Sequence, residues 1–252
     1  MSQSFQLPIE QLSVQLYTVR RELEEDLAGT IAKIADLGFR SIEPFNFVAS
    51  AAPLAEALAA HQLTAPTGHA PLLSADQDEI FSAARTLGMS TVIEPFIPED
   101  RWTSRADIEQ TAAALNSAAA RAAEYGLSVG YHNHWWEVGT EFEGTTALEL
   151  FAGLLNDEVL LEVDTYWAAI SGKNPAALLQ RLGDRVKFVH LKDGPLTTEP
   201  LDQLPVGQGK MNIPEVLAAV PALQYAVMEF DDFRGDIFDG LAQSLSYLRK
   251  DS

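Results

Sequence analysis

LSVGYHNHWWEVG, residues 127–139, opens with Leu127, Val129 and Tyr131, an apolar run of strand length, and ends in His132, His134 and Glu137. Side chains two apart in a strand point to the same side, so His132 and His134 can face one pocket while Asn133 turns away. Three proton-transfer or ligand groups at one strand end suggest a metal centre or acid–base chemistry. The bland alternative is a strand end with two surface histidines and a solvated glutamate.

On both sides of this stretch, short apolar runs alternate with amphipathic segments rich in Ala and Leu. Upstream, LSVQLYTV (12–19), RSIEPF (40–45), LTAPTGHAPL (63–72) and STVIEPF (90–96) read as strands. Between them, residues 23–38, 53–62, 75–87 and 104–125 read as helices. In the first of these, Leu27, Ile31, Ile34 and Leu37 have helical spacing, with Gly38 where a C-cap belongs. Downstream, VLLEVDTYW (159–167), RVKFVHLKD (185–193) and YAVMEFDD (225–232) are strands. They are separated and followed by helices at 145–156, 175–182, 213–220 and 236–249. Eight strand–helix units in 252 residues, without a linker, predict a single-domain (β/α)8 TIM barrel over residues 1–252. An open doubly wound sheet is the other option, but no Gly-rich turn follows the first strand, and neither a P-loop nor GxSxG occurs.

Composition narrows the function. Apolar residues make up 47% of the chain, ample for a large core. The net charge of −19 opposes nucleic acid as a partner. The chain has no apolar run of membrane-spanning length and no signal-peptide pattern at its start, so a cytoplasmic protein away from membranes is expected. The absence of cysteine leaves only N and O ligands for a metal.

In a barrel of this kind the active site lies at the C-terminal ends of the strands. Those ends carry Gln15 and Tyr17, Glu43, His69, Glu94, then His132, His134 and Glu137, Asp164 with Trp167, His190 with Lys192 and Asp193, and Glu229 with Asp231 and Asp232. Four of the five histidines fall there, which points to one site at one rim. Asp164 and Glu229 end runs too apolar to hold an unpartnered carboxylate. His190 and His69 read equally well as a hydrogen-bonded core residue and a turn residue, and Lys192 as a simple partner of Asp193. Trp167 and its neighbours suit an apolar wall against a sugar. Carboxylates and imidazoles without thiols suit one divalent ion such as Mn, Co, Mg or Zn. Such an ion polarises a hydroxy-ketone, which leads to isomerisation or epimerisation through an enediolate.

The strand ends HNHWWE, EVDTYW, VHLKD and MEF, taken in order, resemble those of the sugar phosphate isomerase/epimerase superfamily with the xylose isomerase-like barrel. The likeness runs from VQLYTVR to the last helix. The resemblance implies a sugar isomerase or epimerase, a small-molecule sugar substrate and a homo-oligomer. It also implies an ion held by Asp164, His190 and Glu229 plus a ligand from strand five. The epimerases have glutamate where this chain has His132. Glu137 reaching back is the expected ligand, because two carboxylates flanking the ion preserve paired acid–base geometry; His132 itself is the alternative. Glu137 and Glu229 would then carry protons, assisted by His132, His134 and Lys192. Gln15, Tyr17, Glu43, His69 and Trp167 would bind substrate. The HNH pattern is also similar to the inosose dehydratase branch, so a lyase acting on a keto-inositol or keto-glycoside is the second expectation. A non-catalytic sugar-binding barrel is the third.

Overall fold

The computed structural model describes residues 5–249. Eight parallel strands follow one another in chain order: β1 (Leu12–Gln15), β2 (Ser41–Glu43), β3 (Thr67–His69), β4 (Thr91–Glu94), β5 (Ser128–His132), β6 (Leu160–Asp164), β7 (Val186–Leu191) and β8 (Tyr225–Met228). Their order in the sheet is β2-β1-β8-β7-β6-β5-β4-β3, with helices between successive strands. Nearly every strand residue is buried, as expected when helices cover one face of a parallel sheet and the other lines a barrel.

The barrel closes between β2 and β3 by isolated pairings rather than a full ladder, because Pro44 follows β2 directly and offers no N–H. Ile42 N donates to Thr64 O at 2.9 Å, His69 N to Pro44 O at 2.7 Å, and Asn46 N to His69 O at 2.9 Å. The last two bonds seat His69 at the rim.

The helices follow from their sequences. Pro175–Leu182 begins at Asn174, whose side chain caps Ala177 N, with proline at the first helical position. The helical segment expected over 23–38 is instead two helices, Arg20–Glu25 and Leu27–Leu37. Asp26 leaves the helical conformation, with φ −153°, to cap Gly29 N with its carboxylate. Its short acceptor competes with helix continuation and wins. The expected helix at 145–156 is Ala147–Leu154, preceded by a small hairpin of Glu141–Phe142 with Thr145–Thr146. No helix among the described residues is long and apolar enough to cross a membrane.

Strand register builds the site. Parallel pairing sets Gln15 beside Glu43, His132 beside Glu162 and Asp164 beside His190. Period-two alternation turns these side chains into the barrel, so its C-terminal half is filled by polar groups rather than aliphatic ones.

Candidate metal centre

His132, Asp164, His190 and Glu229 each offer one ligand atom, and all four atoms lie within 4.8 Å of one another. His132 ends β5, Asp164 ends β6, His190 lies on β7, and Glu229 follows β8. Asp164 also caps the helix Thr165–Ile170: its Oδ1 accepts from Trp167 N at 2.9 Å. That bond fixes the carboxylate so that Oδ2 faces the other donors, where the Lys192 ammonium lies 2.9 Å away. Asn133 steadies the same turn, with its Oδ1 accepting from Asp164 N at 3.0 Å.

Lys192 is buried beside this group. Its ammonium lies 2.8 Å from Glu229 Oε2, 2.9 Å from Asp164 Oδ2 and 3.0 Å from Asp231 Oδ2. Burial alone would lower the Lys192 pKa, but Asp164, Asp231 and Glu229 hold it well above the usual lysine value. Burial would raise Glu229, yet Lys192 and His190 hold it well below the usual carboxylate range. Asp193 does not pair with Lys192. Its carboxylate accepts from Gly194 N (2.8 Å), Gly207 N (2.9 Å) and Met211 N (3.0 Å), fastening the glycine-containing loop 205–212.

A second buried group lies deeper. Glu162 Oε2 meets His69 Nε2 at 2.6 Å, His190 Nε2 at 3.0 Å and His132 Nδ1 at 3.1 Å. Glu43 Oε1 meets His190 Nε2 at 2.8 Å and accepts from Gln15 Nε2 at 2.9 Å, while Thr67 Oγ1 donates to Glu43 Oε2. Burial and the Glu162 charge push the Glu43 carboxyl up. Burial opposes ionisation of Glu162 as well, but His190 and His69 hold its carboxyl well below the usual range. His132 is pushed well below the ordinary histidine value by burial and by His190. His190 lies well above it: burial opposes its charge, and Glu162 and Glu229 outweigh burial.

The floor of the rim cleft, about 250 Å³ in volume, is made by His69, His132, Lys192, Glu229 and Asp231. Tyr17, Phe45, Pro95, Phe96 and His134 form its walls. Among the residues expected at a substrate site, Tyr17 and His69 do line this cleft. Gln15 and Glu43 are wholly buried beneath it, where they hydrogen-bond each other and His190. Trp167 is buried against Trp135, its ring 5.0 Å from the Lys192 ammonium.

Glu137 stands apart, contrary to the expectation that it reaches back to the ion. Tyr131 alternates with His132 and points to the outer side of β5, where its hydroxyl donates to Glu137 Oε1 at 2.7 Å. Glu137 Oε2 accepts from His134 N at 2.9 Å, a capping box on the short helix Trp135–Gly139. Both carboxylate oxygens are therefore committed, and His132 is the strand-five member of the cluster. Glu162 is the member that strand-end reasoning misses. The available signal is the period-two rule, which places it on the same side as Asp164.

The donor set suits a metal. It combines two imidazoles with two carboxylates, all four residues are buried, and their donor atoms lie within 4.8 Å of one another. The buried His/Asp/Glu cluster can thus hold a divalent cation.

Comparison with known proteins agrees with this architecture. A profile of the xylose isomerase-like TIM barrel family matches residues 31–250, and the chain belongs to that family. Among curated relatives, an inosose dehydratase of Lacticaseibacillus casei is 31% identical over 101 residues, which are 40% of this chain and 31% of the relative. The match therefore spans about a third of that relative's length. A sugar phosphate isomerase/epimerase from Parabacteroides distasonis superposes with a TM-score of 0.77 at 20% identity, covering 96% of this chain and 94% of the other. The IolI protein, solved with a binding zinc atom, gives 0.70 at 16% identity, covering 94% and 96%. These two likenesses are likenesses of fold.

Proposed function

We propose that this protein is a metal-dependent isomerase or epimerase that removes a proton beside the carbonyl of a sugar or keto-sugar, giving an enediolate. The observation that carries this reading is the convergence of His132, Asp164, His190 and Glu229 next to the buried Lys192, at the floor of an open cleft. The zinc in the IolI neighbour supports it, as do the isomerase/epimerase names among the structural neighbours.

His132, Asp164, His190 and Glu229 would hold the ion. Two nitrogen donors favour Zn, Co or Mn over Mg. When bound, such an ion supplies Lewis acidity to neighbouring oxygens of a hydroxy-ketone. Of the two carboxylates at the cleft floor, Glu229 belongs to the donor set and takes up the proton. The Lys192 ammonium, beside Glu229, offsets negative charge developing on the substrate oxygen. His69 and His134 reach the cleft and bind hydroxyls. Tyr17, Phe45 and Phe96 supply apolar faces that exclude water and stack on C–H surfaces.

A second reading, a lyase on a keto-inositol or keto-glycoside, is favoured by one specific feature. With Glu137 turned away, the proposed base Glu229 stands beside the Lys192 ammonium rather than opposite a second proton-carrying carboxylate. One base beside a fixed cation suits expulsion of a leaving group that departs with negative charge. The inosose dehydratase kinship of part of the chain points the same way.

Solvent-deuterium exchange decides the shared step. Manganese-, cobalt- or zinc-loaded protein should exchange the carbon-bound proton of a ketose or inosose with D2O, and Glu229→Gln should abolish this. If the loaded protein exchanges no proton in any ketohexose or inosose, the reading is wrong. Dehydrated product alongside the exchange would select the lyase.

A further inference from the structure

Glu162 enters no step above, yet a single oxygen of its fully buried carboxylate faces three imidazoles. An ionised carboxylate only accepts, so each nitrogen turned toward it carries a hydrogen. His132 faces Glu162 Oε2 through Nδ1 at 3.1 Å, and His190 faces it through Nε2 at 3.0 Å. The far sides of the two rings then present opposite atoms. His132 turns Nε2 outward, 3.9 Å from Asp164 Oδ2, and His190 turns Nδ1 outward, 2.8 Å from Glu229 Oε2. These two nitrogens and two carboxylates open on the same space.

The inner group of His69, His132, His190 and Glu162 also has ligand-like geometry. Its spacing argues for protons rather than a metal. Donors around one tetrahedral ion, each at about 2.1 Å, stand about 3.4 Å apart. The three nitrogen–oxygen distances here are 2.6, 3.0 and 3.1 Å, those of hydrogen bonds. Among the nitrogen–oxygen pairs on the outer side, His190–Glu229 is that close, whereas His132 Nε2 stands 3.9 Å from Asp164 Oδ2.

We infer that Glu162 is the positioning residue of the centre: through one oxygen it selects the ring nitrogen that His132 presents to the ion, and with Glu43 it holds Nε2 of His190 turned inward. This inference rests on the metal reading for its consequence, but the ring tautomers can be read without metal. A carboxylate holding the outer N–H of a ligating histidine orients the ring and raises its basicity, and losing it costs 10- to 100-fold in metal affinity.

The test uses the full chain with 15N-labelled histidine, as native protein and as Glu162→Gln. In the native spectrum, His132 should carry its hydrogen on Nδ1 and His190 should carry one on Nε2, with and without zinc. In Glu162→Gln the His132 assignment should become mixed. Zinc affinity measured by competition titration should fall 10- to 100-fold while circular dichroism stays native. Asp164→Asn and Glu229→Gln should lose zinc altogether. A native His132 protonated on Nε2 overturns the inference even if the variant fails to fold. So does a Glu162→Gln protein with native tautomers and native affinity. Complete zinc loss in Glu162→Gln, with Asp164→Asn still binding, also overturns it by making Glu162 a ligand. If native protein binds no zinc, the metal reading fails, and the metal-free spectra still decide the role of Glu162.

Discussion

Lys192 and Glu229 form a buried ion pair: the ammonium lies 2.8 Å from Glu229 Oε2, and only 2% of the lysine is exposed. The same ammonium touches Asp164 and Asp231, so one fixed positive charge serves three carboxylates. Replacing it by methionine keeps the bulk and removes the charge. Breaking a buried pair this way costs about 3–5 kcal/mol. Lys192→Met should therefore unfold at markedly lower denaturant in metal-free form. A divalent ion should restore much of the loss, so that zinc or manganese raises Tm more in the variant than in the native protein. Differential scanning fluorimetry with and without metal measures both, and an equal metal-induced rise in the two proteins would contradict the placement of the ion beside Lys192.

Glu137 caps the helix Trp135–Gly139 with both carboxylate oxygens engaged, and its substitution separates capping from metal binding. Glu137→Gln leaves one amide oxygen for two donors, the Tyr131 hydroxyl and His134 N. One buried donor loses its partner, at about 1–3 kcal/mol. Urea unfolding should show that loss, while elemental analysis should find the metal stoichiometry unchanged.

Much of this architecture is legible in the letters, and the failures have physical causes. Asn174 and Pro175 mark a helix start that the structure keeps, because cap and first-turn chemistry are local. Asp26 breaks a regular apolar period, because a side-chain cap three residues from Gly29 outcompetes the helix. The strand-end histidines are legible because period-two alternation carries His132 and His134 to one cleft. Glu162 is hidden by the apolar letters around it, although the same alternation assigns it to the side of Asp164. Glu137 misleads for the opposite reason. Sequence distance from a strand end does not say on which face a following helix lies. Here Tyr131, packed among Trp102 and Phe151 on the outer face, draws it away from the barrel.

Glu94 gives the fold a pH dependence. Burial pushes its carboxyl up to about 7, against the pull of Leu73 N and Phe96 N, which donate to it at 2.9 and 3.2 Å. Between the ordinary value of 4.5 and about 7, the folded chain holds a proton that the unfolded chain has released. Stability therefore falls as pH rises through that window, by about 3 kcal/mol in total for this group, and levels off above it. Comparing Glu94→Gln with native protein in denaturant at pH 5 and pH 8 isolates the contribution. The native protein should lose more stability than the variant between the two values, and parallel losses would refute the assignment.

Phe96 is 52% exposed, unusual for a phenyl group, yet its backbone is fixed by the bond from its N–H to Glu94 Oε1. Its ring stands edge-on to His134 and Trp136, with centroids 5.4 and 5.6 Å away, and looks across the cleft toward Tyr17 and Phe45. An exposed ring held this way contributes little to folding, and its place on the cleft wall sets it to contact something that enters the cleft. Phe96→Ala should change stability by less than about 1 kcal/mol. An aromatic contact is worth about 0.5–1.5 kcal/mol, so KM should rise roughly two- to tenfold. The atoms that carry the reaction lie on the floor below, so kcat should hold within about twofold, the signature of lost uniform binding. Val48→Ala, at a comparably exposed apolar position outside the cleft, should leave KM unchanged. Steady-state kinetics on whichever ketose or inosose shows deuterium exchange would measure both variants. A fall in kcat with KM intact for Phe96→Ala would instead place the ring against the reacting carbon.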